Sequence, residues 1–154
     1  MTRRPQLLYV LADGAHARFV EQSAETSAFV TVHRLDGSSR LEIVRAEQRD
    51  EQAGRSFESG STTRHGVGRE DAYRRAKEAF AADVAKTLLT LFGQASEQGV
   101  VLVAPPRLLR VMRDCIGSSA PIVAELGKDL TKATDHELGK WLLPLSLAPL
   151  VLSR

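Results

Sequence analysis

Gln6-Leu7-Leu8-Tyr9-Val10-Leu11-Ala12-Asp13-Gly14 is an unbroken apolar run closed by a turn-forming pair. A strand with one wet face alternates polar and apolar residues, and this one does not. The run therefore predicts a central strand buried on both faces, inside a sheet that carries helices. Next along the chain, Ala17 to Glu21 and Phe29 to Leu35 are shorter and mix polar with apolar positions, as half-buried antiparallel strands do. Asp36-Gly37 then marks a turn. Three strands joined by short connections make a meander.

Beyond the meander the period changes. Residues 39–49 carry Ser39 and Glu42 at capping-box spacing, with Leu41 and Val44 on one helical face, so a short helix is expected and an edge strand is the alternative. From Arg69 to Phe92, Tyr73, Ala76, Phe80, Val84, Leu88 and Leu91 recur at three- and four-residue steps and predict a long amphipathic helix. Glu70 and Asp71 sit in its first turn, where carboxylates favour the helix dipole, and Gly93 is the expected stop. Gly99 to Ala104 reads as a buried strand stopped by Pro105-Pro106, Leu108 to Ile116 as a helix, and Pro121 to Leu126 as a second buried strand. Thr134 to Leu143 reads as a helix with a Thr134/Glu137 capping box and Pro144 near its end. Strand-helix-strand-helix order implies parallel strands with right-handed crossovers. The expected fold is a single α/β domain: a five-stranded mixed β-sheet flanked by helices.

At 154 residues the chain is of one-domain size and needs no metal or disulfide to fold. A net charge of +2 is too small to announce a broadly basic nucleic-acid face. The single cysteine, Cys115, excludes an internal disulfide framework; lying between Met112 and Ile116, it is expected to be a small core residue. The first apolar run is too short to span a membrane and lacks a convincing cleavage site, so no membrane insertion and a cytoplasmic location are expected. The apolar tail Leu145 to Leu152 suits cover for the core or for a partner subunit, and leaves the oligomeric state open.

The familiar chemical signatures are missing. His16, His33, His65 and His136 have no zinc-like spacing, no Gly-x-Ser-x-Gly elbow exists, and neither a phosphate loop nor a dinucleotide fingerprint is found. No catalytic residue, metal or cofactor is therefore expected. Asp13 stands at the end of the first strand and, with Asp71 and Asp129, is compatible with a divalent metal and nuclease chemistry. The blander reading makes Asp13-Gly14 a turn, Asp71 a helix-end residue and Asp129 the start of another turn.

The segment from Gly54 to Arg69 differs in kind. A polar loop of that length is expected to be functional or disordered. From Arg55 to Lys77 it and the following turns carry six basic residues against three acidic ones. Its glycines allow close backbone approach, amides at a helix N-terminus accept phosphate, and Arg and His contact phosphates or stack on bases. The contact candidates are Arg55, Arg64, His65, Gly66, Gly68, Arg69, Arg74 and Arg75. A solvated linker is the plain alternative.

An ordered set of short pieces extends over almost the whole chain: Tyr9 to Arg18, Gly54 to Ser59, Arg64-His65, Phe80-Ala81, Val101 to Pro106 with Leu108-Leu109, and Lys128-Asp129-Leu130-Thr131. In this order they resemble a bacterial family named as proteins required for attachment to host cells. That family is similar to the central domain of archaeal and eukaryotic class-one peptide-chain release factors, which implies a ribonuclease-H-like mixed sheet. In release factors a Gly-Gly-Gln loop before the long helix enters the ribosomal peptidyl-transferase centre. The corresponding stretch here, His65-Gly66-Val67-Gly68-Arg69, lacks both the Gly-Gly pair and the glutamine, which speaks against peptide release. The first expectation is thus a non-catalytic cytoplasmic module that contacts the ribosome or RNA through residues 54–69. A protein-interaction or regulatory domain for host attachment, without nucleic acid, is the second. A metal-dependent nuclease is the third.

Overall fold

The computed structural model describes residues 6–54 and 62–147, with side chains throughout except at 51–54, 62–67, 69 and 147. Strand β1 (Leu7–Ala12) is the predicted central strand, and all six of its residues are buried. It pairs antiparallel with β2 (His16–Gln22), which pairs antiparallel with β3 (Phe29–Asp36). On its other side β1 runs parallel to β4 (Gly99–Val103), which runs parallel to β5 (Ile122–Leu126). The order β3-β2-β1-β4-β5 makes a five-stranded mixed sheet. It is the meander followed by crossovers that the order of elements predicts.

Four helices flank the sheet: α1 (Ser38–Gly54), α2 (Thr62–Gln94), α3 (Pro106–Ile116) and α4 (Asp135–Leu147). Alternation along β1 divides the core in two. Leu8, Val10 and Ala12 join Phe19, Phe80, Val84, Leu88, Met112 and Ile116 on the face that α2 and α3 cover. Leu7, Tyr9 and Leu11 join Phe29, Leu130, Leu138 and Leu142 on the face that α4 covers. Burying a side chain of this kind contributes roughly 1.5–3 kcal/mol. Tyr9 also meets Phe29 edge-on, with ring centroids 5.3 Å apart.

Several boundaries differ from expectation. The short helix at 39–49 is longer, and its start is marked by Asp36, whose carboxylate accepts from the Ser38 N–H at 2.8 Å. Helix α2 begins at Thr62 and runs past Gly93 to Gln94. Gly66 and Gly68 each disfavour a helix by about 1 kcal/mol, and the apolar stripe from Ala76 to Leu88 outweighs this. The polar segment is therefore helical from residue 62, while 55–61 lie outside the described residues. Strand β5 is half-buried rather than buried, because it forms the sheet edge. Pro144 lies inside α4 rather than after it. The Thr134/Glu137 capping box forms as predicted, with reciprocal bonds of 3.2 and 3.3 Å.

Cys115 is exposed, contrary to its expected core place. The buried stripe of α3 is Leu108, Leu109, Met112 and Ile116, and Cys115 stands on its flank, about 100° round the helix from Ile116. Leu145 does pack against the core, whereas 148–152 fall outside the described residues. Among the described residues no helix is long and apolar enough to cross a membrane.

Candidate functional site

The parallel strands β1 and β4 end at the same edge of the sheet, where open α/β sheets hold their ligands. After β1 the chain turns tightly. Asp13 Oδ1 accepts the N–H groups of Ala15 (2.7 Å) and His16 (2.6 Å), and the Asp13 N–H donates to the His16 carbonyl. Burial alone would raise the Asp13 pKa, but those amides, the Thr131 hydroxyl and His16 outweigh it and hold the carboxylate below its ordinary range. Asp13 is thus a turn residue whose charged form the turn stabilises.

Gly14, next in the turn, lies under Lys77 of α2. A Cβ at Gly14 would stand 2.6 Å from Lys77 Cγ and 2.8 Å from Cδ, so only glycine lets the lysine stem lie there. Beside this contact a cleft of about 440 Å³ opens between the stretch of α2 from Glu70 to Glu78 and the β4–α3 junction. Its walls follow from burial. Leu108 is buried, and Gly14, Tyr73 and Pro105 are half-buried, so these make the floor. Arg74, Lys77 and Arg107 are exposed and stand at the rim with Glu70, while Glu78 is half-buried. Arg74 is also paired with Asp71 at 3.1 Å. Helix α3 starts at this rim with Pro105 as its N-cap and no side-chain cap.

The candidates named from the sequence fall unevenly about this cleft. Arg55 is outside the described residues. Arg64, His65, Gly66, Gly68 and Arg69 belong to the first turns of α2, and Gly68 is open to solvent. Arg74 lines the cleft, and Arg75 is exposed but is not part of the lining. Tyr73 was read as core, and Lys77 counted only toward local charge. Gly14, Glu78 and Arg107 carried no site signal at all, except that a strand-turn-helix junction with an arginine is visible at Pro105-Pro106-Arg107.

Behind the edge lies a polar clamp. Arg18 on β2 is only 4% exposed. It donates to the carbonyls of Leu130 (3.3 Å), Thr131 (3.2 Å) and Ala133, to the Thr31 hydroxyl, and to Asp135 Oδ1 at 2.6 Å. The Thr131 hydroxyl lies between Asp129 Oδ1 (2.6 Å) and Asp13 Oδ2 (3.0 Å), with its one proton within reach of either carboxylate. Lys128 Nζ sits 3.5 Å from the centre of the Trp141 ring. Within Lys128-Asp129-Leu130-Thr131, Lys128 thus meets α4, Asp129 braces Thr131, Leu130 meets Arg18 of β2, and Thr131 reaches Asp13 in the β1–β2 turn.

That arrangement gives the three aspartates of the nuclease reading other partners. Asp13 and Asp129 are held around Thr131, while Asp71 pairs with Arg74. Among the described residues no group of three or more His, Cys, Asp or Glu converges as a metal site.

Two pieces that carried the resemblance, Tyr9 to Arg18 and Lys128 to Thr131, meet directly in this clamp. A family profile described as "Protein required for attachment to host cells" matches residues 8–142. The chain belongs to this family. The matched span of the host-attachment domain runs from β1 to within α4, and so includes the sheet, the clamp and the cleft. A comparison with curated proteins gives no match. Among solved structures, a chain of a PilM-PilN type IV pilus biogenesis complex is similar at 15% identity and a TM-score of 0.40. The likeness covers 95% of the host-attachment chain and 46% of that chain, so it spans less than half of the neighbour's length.

Proposed function

We propose that this host-attachment protein is a non-catalytic binding module that contacts RNA, on the ribosome, through the first turns of α2 and the adjoining sheet edge. It acts on attachment indirectly, from the cytoplasm. One observation carries the reading: Arg74, Lys77 and Arg107 line one cleft, on the part of α2 that follows its first turns. The resemblance of the sequence to release-factor central domains is the ground for choosing a ribosomal partner, and the missing Gly-Gly-Gln argues against peptide release. Co-sedimentation with ribosomes at low and moderate salt tests this. Binding should be present at low salt, weaken steeply as salt rises, and fall when Arg69 and Arg75 are both changed to Glu. Absence of the protein from ribosomal and RNA fractions at low salt would remove the reading.

A second reading, a protein-binding regulatory domain without nucleic acid, draws on edge strand β3. Val30 and Val32 there are 46% and 49% exposed. Edge strands offer unpaired backbone groups to a partner. A partner captured equally well after nuclease treatment, and lost on Val30→Lys, would favour it.

A further inference from the structure

We propose that the cleft between α2 and the ends of β1 and β4 is a receptor for one nucleoside phosphate. The cleft is amphipathic in a definite direction. Its floor offers the Tyr73 ring, Leu108 and Pro105, surfaces suited to a flat, weakly polar ring. Its rim offers the cations Lys77 and Arg107, with Arg74 shared with Asp71, against the exposed carboxylate of Glu70. A ligand that fits both must be planar at one end and anionic at the other. The volume of about 440 Å³ lies in the range of small-molecule sites.

Two further features narrow the class. Glu78 is half-buried in the wall and can only accept hydrogen bonds when ionised. A ribose hydroxyl or an amino group on a base satisfies it, whereas an aliphatic acid would leave it desolvated and unpaired. Lys77 is laid across Gly14, so part of its side-chain freedom is already lost before a ligand arrives. The uncapped start of α3 adds a favourable dipole for phosphate at the same rim. Bare phosphate would use the rim and leave the floor wet.

The nucleoside phosphate has two sources, a free mononucleotide or one unit of an RNA strand. The strand-borne form deepens the RNA reading above and rests on it. Calorimetric titration of the full chain with AMP, adenosine and inorganic phosphate tests the site. AMP should bind saturably, at least tenfold more tightly than either half. Lys77→Gln and Arg107→Gln, both at exposed positions, should weaken AMP at least fivefold with the melting temperature unchanged. Gly14→Ala should weaken it by displacing the lysine stem. Tyr73→Leu should weaken AMP without changing phosphate binding. Competition by a single-stranded oligoribonucleotide would support the site and mark it as strand-borne; AMP binding without competition would support it as a mononucleotide site. AMP binding no tighter than phosphate, or indifferent to both rim variants, would overturn the proposal. Ribosome co-sedimentation by a chain that fails to bind AMP would overturn the cleft while leaving the RNA reading in place.

Discussion

The Arg18 guanidinium meets Asp135 Oδ1 at 2.6 Å, although the two residues lie on opposite halves of the chain. The pair is asymmetric. Arg18 is 4% exposed on its side chain and Asp135 is 41% exposed. Thr31 completes the junction, donating its hydroxyl to Asp135 Oδ1 at 2.6 Å and its N–H to Oδ2 at 3.2 Å. Together they hold α4 against β2 and β3.

Removing the buried member should cost most. Arg18→Met is expected to destabilise the fold by about 3 kcal/mol, because the carbonyls of Leu130 and Thr131 lose their donor inside the protein. Asp135→Asn keeps an acceptor that water can reach, and should cost less, about 1–2 kcal/mol, mainly by leaving the buried Arg18 charge without its counter-ion. Urea unfolding measures both. Equal losses would mean that the two residues share the burden evenly.

Acid should act through the same clamp. Burial raises the Asp135 pKa, but the Thr31 and Arg18 hydrogen bonds and the Arg18 charge outweigh it, and the net shift is downward, as for Asp13. A lowered folded pKa gives stability that is present above the ordinary value of 3.8 and lost as pH falls through the folded values. Unfolding followed by circular dichroism should therefore show a loss beginning below about pH 4, and Asp13→Asn should make that loss shallower.

Glu97 should act in the opposite sense. Burial, and then hydrogen bonding to the Glu21 carboxyl, push its pKa up to about 7. Between 4.5 and about 7 the folded chain keeps a proton that the unfolded chain has released, so stability falls as pH rises through that window. Glu97→Gln should flatten this slope. Melting temperatures across the window provide the test, and an unchanged slope in the variant would dismiss the shared proton.

The turn after β3 is sterically closed. A Cβ at Gly37 would overlap the Phe80 ring, which is itself 4% exposed in the core. Gly37→Ala should destabilise by about 1–3 kcal/mol through overpacking. Chemical denaturation reads this directly, with Gly93→Ala as a control, because nothing lies within 4 Å of a Cβ there.

Cys115 supplies a simple chemical check. Being exposed, it should react with a thiol reagent in the native state at close to the rate of the unfolded chain. Cys115→Ser should shift stability by less than about 0.5 kcal/mol. Protection of the thiol until unfolding would restore its expected place in the core.

The strands were legible because hydrophobic period reports burial directly. Leu7 to Ala12 reads as central, and it is. Pro121 to Leu126 looks equally apolar, yet β5 is an edge, and strand position depends on the pairing partner rather than on composition. The start of α2 was obscured by Gly66 and Gly68, which read locally as loop while the packed stripe beyond them sustains the helix. The cleft was hidden for a different reason. Gly14, Tyr73 and Arg107 belong to three segments that are each ordinary alone, and only the crossover from β1 to β4 brings them together. The clamp was half visible, since its two pieces stood out as recognisable motifs without any sign that they touch.

The placement of β1 has a consequence for synthesis. Its antiparallel partner β2 follows within a few residues, but its parallel partner β4 arrives roughly ninety residues later. As the chain leaves the ribosome, Leu7 to Ala12 must wait with one hydrogen-bonding edge vacant and both apolar faces without their helices. A nascent chain in that state invites pairing with its neighbours, so the strand that organises the finished sheet is also its chief aggregation hazard until the second half emerges.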